Sequence, residues 1–253
     1  TINGNLTING DVTLNSISSK YSSLIVTGTT TGNIKYKRHV NAFNGSTGND
    51  LISSPVTGQN FGDFASDNPN IYDNTDGGFP TQKLFGPFNK TSGSYQTYDS
   101  VSDSAVTLDS GTGFRAARDA TKDVISGTTF TFEGAVETGS VNVSILNSGP
   151  TYTVWNLVGN PYTSFLSLSD FLAANTSQLL PSSAAVYGYD GNASDGWVVW
   201  NQAYSDANTN AIIAPGQGFF VNTTSGVSTL TFNSSRRSTI RIIVRWLRSH
   251  TDD

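Results

Sequence analysis

The chain predicts an all-β fold: two tandem β-sandwich (jelly-roll-like) modules preceded by a short β-solenoid-like or hairpin segment. Three observations carry that expectation. The first is a duplication. Asp50-Leu51-Ile52-Ser53-Ser54-Pro55 and Gly111-Thr112-Gly113-Phe114 are matched by Asn156-Leu157-Val158-Gly159-Asn160-Pro161 and Gly216-Gln217-Gly218-Phe219. The offsets are 106 residues from Pro55 to Pro161 and 105 from Gly111 to Gly216, and Phe130-Thr131-Phe132 finds a further match in Leu230-Thr231-Phe232. The second is composition: only 13% of the 253 residues are charged, about half the usual share, while Gly, Ser, Thr and Asn crowd every segment. The third is a set of short period-two apolar runs separated by turn residues, as strands require.

Residues 1–40 form the first unit. Three hexads, Thr1-Ile2-Asn3-Gly4-Asn5-Leu6, Thr7-Ile8-Asn9-Gly10-Asp11-Val12 and Thr13-Leu14-Asn15-Ser16-Ile17-Ser18, place Ile2, Leu6, Ile8, Val12 and Leu14 at apolar positions with Asn-Gly at the corners. That pattern fits stacked solenoid rungs and equally an Asn-Gly hairpin. In Gly32–Val40, period two puts Ile34, Tyr36 and Arg38 on one face and Lys35, Lys37 and His39 on the other. The basic face reads as a solvated edge or a docking patch.

The first module spans residues 41–147, with a long Asp/Asn/Gly-rich loop over 60–78 and strands at 103–108, 128–132 and 140–146. The second spans residues 148–235, with strands at 154–158, 185–189, 197–200 and 218–221. The one helical signal is Ser169–Asn175, with Ser169 or Asp170 as N-cap and Pro181 beyond its end. Residues 236–253 form a basic tail. Ile240, Ile242, Val244 and Trp246 share a face if it is a strand; Ile240, Ile243, Val244 and Leu247 share one if it is a helix, and the β-branched run favours the strand.

Composition also narrows function. A net charge of −5 argues against general nucleic-acid binding, which needs a basic face to neutralise phosphates. Cysteine is absent, which removes disulfides, thiolate nucleophiles and cysteine metal sites. No apolar run approaches the roughly 18–20 residues of a membrane-spanning helix, so membrane insertion is not expected. The chain starts at Thr1 inside a strand pattern and contains no Met, which fits a processed or excised piece of a larger protein.

Gly32–Arg38, Leu51–Val56, Trp155–Tyr162 and Ile213–Val221 together resemble a tract of the large secreted proteins of Bacteroidota, where it usually precedes a type IX secretion C-terminal sorting domain. The resemblance covers about residues 1–235. It implies export to the extracellular space or the outer-membrane surface, and it brings no catalytic residues. The chain departs from the pattern after Arg237. Asp99-Ser100-Val101 and Asp103-Ser104-Ala105 resemble the O-glycosylation acceptor of the same group, with Ser100 and Ser104 as the modified residues.

Candidate chemistry is sparse. His39 and His250 lie in no ligand or nucleophile–base spacing, Glu133 and Glu137 read as turn and strand-surface residues, and no catalytic residue or organic cofactor is expected. Both Gly-x-Gly loops precede strands and so lack the helix N-terminus that binds phosphate. Calcium is the inorganic candidate. Asp73, Asp76, Asp190, Asn192 and Asp195 cluster short oxygen side chains in loops, although such residues also build Asx turns unaided. Carbohydrate is the best small ligand: Tyr187, Tyr189, Trp197, Trp200, Asn201 and Gln202 combine aromatic faces with amides, and alternation makes one tryptophan core and leaves the other for solvent. The leading expectation is a non-enzymatic extracellular structural or adhesive β-module that self-associates through Ile2, Leu6, Ile8, Val12 and Leu14 at one end and Ile240, Ile242, Val244 and Trp246 at the other, or that joins neighbouring domains. A carbohydrate-binding module of a secreted polysaccharide-active protein is the alternative.

Overall fold

The structure is a computed structural model that describes residues 1–45, 48–74, 79, 81–189, 191, 196–224 and 226–238. It is all-β, built from several small sheets with a few short helices. Strand Ile34–His39 lies between Thr13–Leu14 and Thr129–Val136, with Val56–Thr57 completing that sheet. A second sheet orders Ser94–Tyr95, Phe85–Asn89, Gly113–Ala116 and Asp50–Ser53. Their facing residues, among them Ile34, Tyr36, Phe130 and Phe132 on one sheet and Ile52, Phe85 and Phe114 on the other, share one core. Arg38 joins the buried face of its strand as alternation requires, at 1% exposure.

The C-terminal half repeats the plan with variations. One sheet orders Trp155–Gly159, Gly218–Asn222, Ala185–Tyr189 and Trp197–Asn201. Val158, Phe219 and Trp200 from it bury against Ile145, Phe171, Leu230 and Phe232. The strand Val141–Leu146, which the chain pattern grouped with the first module, pairs antiparallel with Val227–Phe232 and contributes Ile145 to this second core.

The structure changes four local expectations. The segment 60–78 begins with a helix, Phe61–Asp67, whose Asn60 cap accepts from the Asp63 amide at 2.8 Å. Residues 103–108 form no strand: 103–105 are turn, wound locally as Asp99 accepts the Val101 and Ser102 amides, and Thr107 makes only an isolated antiparallel bridge to Asn60. The Lys35/Lys37/His39 face belongs to an interior strand, so it is no sheet edge, and Lys35 pairs across the ladder with Glu133 at 3.6 Å. The predicted helix forms as Leu168–Asn175, capped by Ser167.

The hexads form no hairpin with one another, although the end of the third, Ser16–Ile17, pairs antiparallel with Lys20–Tyr21. Ile2, Leu6–Thr7 and Thr13–Leu14 each pair in parallel with residues 22–24 positions further along, at Val26, Thr30–Thr31 and Lys35–Tyr36. Antiparallel pairing is what a hairpin needs. The observed arrangement is a coil laid on a coil, in the solenoid manner.

The helices expose a second layer of the duplication. Asn68 donates from Nδ2 to the Phe64 and Thr131 carbonyls at 2.8 and 2.9 Å, while its Oδ1 accepts the Thr131 amide at 2.6 Å. Asn175 does the same with Phe171, Thr231 and the Thr231 amide at 2.8, 3.0 and 2.8 Å. Each asparagine fastens a helix end to the edge of a core strand.

The repeated motifs meet each other at the junction of the halves. Within each half the motifs pair in one register, Gly113 opposite Ser53 and Gly218 opposite Gly159. Across the halves Ile52 bridges Gln217 and Val158 bridges Thr112, while the Ser53 and Gly159 amides donate to the Gly216 and Gly111 carbonyls, both at 2.9 Å. These are equivalent positions exchanged, so the junction is a pseudo-two-fold. Glycine makes it possible: a Cβ on Gly218 would lie 2.6 Å from the Ile52 nitrogen. Arg38 enters the same junction, donating from Nη2 to Gln217 Oε1 at 2.9 Å, with its guanidinium over the Tyr21 ring. Burial pushes that guanidinium's pKa down, but Tyr21 and Asp50 outweigh it and hold it above the ordinary value.

Candidate functional site

Alternation along the C-terminal sheet sorts its aromatic residues between two faces. Tyr187 stands opposite Val199, and Tyr189 opposite Trp197, on the face turned away from the second core; Val186 and Trp200 oppose each other on the inner face. Trp200 is 3% exposed and stacks on Tyr204 at 5.1 Å, so it is a packing residue. Trp197 is 47% exposed, with its ring 5.0 Å from that of Tyr189. The expectation of one core and one exposed tryptophan holds.

Phe220 is the hub of this outer face. It lies 5.8 Å from Trp197 and 6.4 Å from Trp155. The N-terminal half supplies the rest, with Phe88 at 5.7 Å and Tyr95 at 6.2 Å from Phe220. Trp155 belongs to this inter-sheet cluster and meets Tyr187 edge-on at 4.6 Å. Lys90 staples the two halves beside it, donating from Nζ to the Thr153 and Trp155 carbonyls at 2.8 and 2.6 Å.

Lys90 lies over the Phe88 ring, and a second cation, Arg115, sits in the same aromatic setting. Arg115 alternates with core residue Phe114, so it points outward beside Leu51, its cross-strand partner. Its guanidinium lies over the Tyr95 ring at 4.6 Å, and its Nε is cut off from solvent without an acceptor. Burial pushes the Arg115 pKa down, and the neighbouring Tyr95 only partly offsets it. The Tyr95 phenol is itself pushed up to about 12 by burial, so it stays neutral and is no counter-ion at ordinary pH. The sequence signal available for Arg115 was its place one residue after an inward phenylalanine.

Asn201 and Gln202 serve the chain instead. Asn201 caps the helix Gln202–Ala207 by accepting the Tyr204 amide at 2.9 Å, and Gln202 donates to Asp206 at 2.7 Å. Asp73 is held by Lys83 and Lys122. Burial pushes its carboxyl up, but hydrogen bonds from the two ammoniums outweigh this and hold it below the usual range. A calcium ion would have to displace both. Asp76, Asp190, Asn192 and Asp195 lie outside the described residues, and among the described residues no three His, Asp or Glu side chains gather as a metal site. Ser100 and Ser104 donate to the Thr81 and Val101 carbonyls at 3.1 and 2.8 Å in the turn-rich loop.

The N-terminal coil is the second candidate surface. Ile2, Leu6, Ile8 and Leu14 are half-buried and pack on the first core, whereas Val12 is 37% exposed. The Leu6 and Ile8 amides donate inward to the Thr29 and Thr31 carbonyls, both at 2.9 Å. Thr7, between them, therefore turns its N–H and C=O to the open side. Among the described residues no strand pairs with that side. Ile240, Ile242, Val244 and Trp246 lie outside the described residues. A polar groove of about 520 Å³ runs beside the coil past Thr1, Thr27, Thr138 and Ser235, where Arg237 donates to the Ser234, Glu137 and Val26 carbonyls.

No curated protein and no solved structure matches the chain. One family model matches it over residues 1–251, and the chain belongs to that family, described as a domain of unknown function (DUF8693).

Proposed function

We propose that this protein is a non-enzymatic, extracellular structural or adhesive β-module, displayed on or released from the outer-membrane surface, that associates with a second copy through its N-terminal coil. The observation that carries this reading is the open side of residues 2–14. It is an edge of short, two-residue strands with no Pro, no Lys and a single charge, Asp11, so it lacks the proline and lysine devices by which proteins blunt edges. Its inner apolar residues already anchor it to the first core, so pairing on the outer side needs no rearrangement.

Light scattering of the purified chain tests it. The wild type forms dimers or larger ordered assemblies, and Thr7→Pro, which removes an outward N–H without breaking a hydrogen bond of the coil and fills that side with the ring, returns it to monomer with the melting temperature of the monomeric unit kept. A monomeric wild type, or an assembly indifferent to Thr7→Pro and to deletion of residues 1–14, rejects the reading.

The aromatic face favours a second reading, carbohydrate binding. Trp197 and Tyr189 offer a solvent-facing ring pair on a rigid sheet, the element that sugar stacking uses. Loss of glycan binding in Trp197→Ala with folding intact is its test.

A further inference from the structure

We infer that the aromatic face is built for an acidic glycan, with Arg115 as the group that recognises the sugar's carboxylate or sulfate; the inference rests on the carbohydrate reading above. Arg115 carries a charge that nothing nearby balances. Arg115 has no hydrogen-bond acceptor and no acidic partner among the described residues, and the ring beneath its guanidinium is that of a neutral phenol. A guanidinium drawn partly out of water between two sheets is costly unless an acceptor arrives. A fork of N–H donors is matched by a planar carboxylate or by a sulfate, which it can bind through two parallel hydrogen bonds.

Placement ties this cation to the rings. Tyr95, under the guanidinium, touches Phe220 at 6.2 Å, and Phe220 touches Trp197 at 5.8 Å. The solvent-facing pair Trp197 and Tyr189 is thus joined to Tyr95 and Arg115 through the buried Phe220, so a sugar on that pair binds at the ring cluster that also holds Arg115. The other cation at this face is committed, since Lys90 is held by backbone carbonyls. The chain's net charge of −5 gives an anionic polymer no general attraction, so recognition at this face needs a local cation such as Arg115.

The test is a binding comparison in which each acidic polysaccharide has a neutral counterpart. Polygalacturonate is set against its fully methyl-esterified form, and ι-carrageenan against agarose, by calorimetry or affinity electrophoresis. The wild type is expected to prefer an acidic member by about tenfold, the ratio that ~1.4 kcal/mol gives. The first pair identifies a carboxylate and the second a sulfate. Arg115→Gln abolishes that preference while leaving binding to the neutral member, Arg115→Lys keeps most of it, and Trp197→Ala weakens both members together. Equal binding of acidic and neutral members by the wild type, or an undiminished preference in a folded Arg115→Gln, overturns the inference and leaves the carbohydrate reading standing. No binding to any of the four polysaccharides overturns both.

Discussion

Gly218→Ala probes the junction on which the duplicated architecture depends. The added Cβ would lie 2.6 Å from the Ile52 nitrogen and 2.7 Å from both the Ile52 oxygen and the Leu51 carbonyl carbon. All three are backbone atoms of a strand paired in register with Gly113–Ala116, so no side chain can swing aside to make room. Relief requires the two halves to separate locally, disturbing the Gln217 bridge and the Arg38 hydrogen bond beside it. Overpacking of this kind costs about 1–3 kcal/mol, which for a chain of this length lowers the melting temperature by roughly 3–10 °C. Gly10→Ala is the matched control, because its Cβ would meet nothing within 4 Å; its stability should stay within about 0.5 kcal/mol of wild type. Scanning calorimetry of the three proteins decides the point. If Gly218→Ala melts with Gly10→Ala, the backbone crossing is not a close contact and the pseudo-two-fold junction is wrong.

Two further outcomes follow from the geometry. Asn68→Ala and Asn175→Ala each strand a strand amide and two carbonyls, so each should lose about 2–4 kcal/mol in urea unfolding, and a loss confined to one of them would break the equivalence of the two helices. Asp73 has a lowered native pKa, so its ion pairs contribute stability above its unfolded pKa of about 3.9, and that contribution fades as pH falls through the native value. The stability gap between wild type and Asp73→Asn should therefore be full at pH 6 and close in acid, as read from denaturation midpoints across that range.

Much of this fold was legible because alternation is local. Ile34, Tyr36 and Arg38 share the buried face that period two assigns them, and the inward Phe114 and Phe219 follow from the Gly-x-Gly turns before them. The helix Phe61–Asp67 escaped because seven residues containing a glycine and two aspartates carry little helical periodicity. A recoverable signal was present, since Phe64-x-x-x-Asn68 recurs as Phe171-x-x-x-Asn175 at an offset of 107. The partner of Val141–Leu146 was beyond reach, because pairing with Val227–Phe232 is a contact between distant segments that no local pattern encodes. The aromatic face failed on the same ground. Trp155, Phe88, Tyr95 and Arg115 come from strands of two sheets, and only the junction brings them together.

The open edge of the N-terminal coil is the centre of the functional account, and residue-resolved amide exchange at rising protein concentration tests it most directly. The Leu6 and Ile8 amides, bonded within the chain, should be protected at every concentration. The Thr7 amide should exchange freely when dilute and become protected as chains associate. A Thr7 amide that exchanges freely at every concentration, while Leu6 and Ile8 stay protected, would contradict the proposed edge-to-edge association.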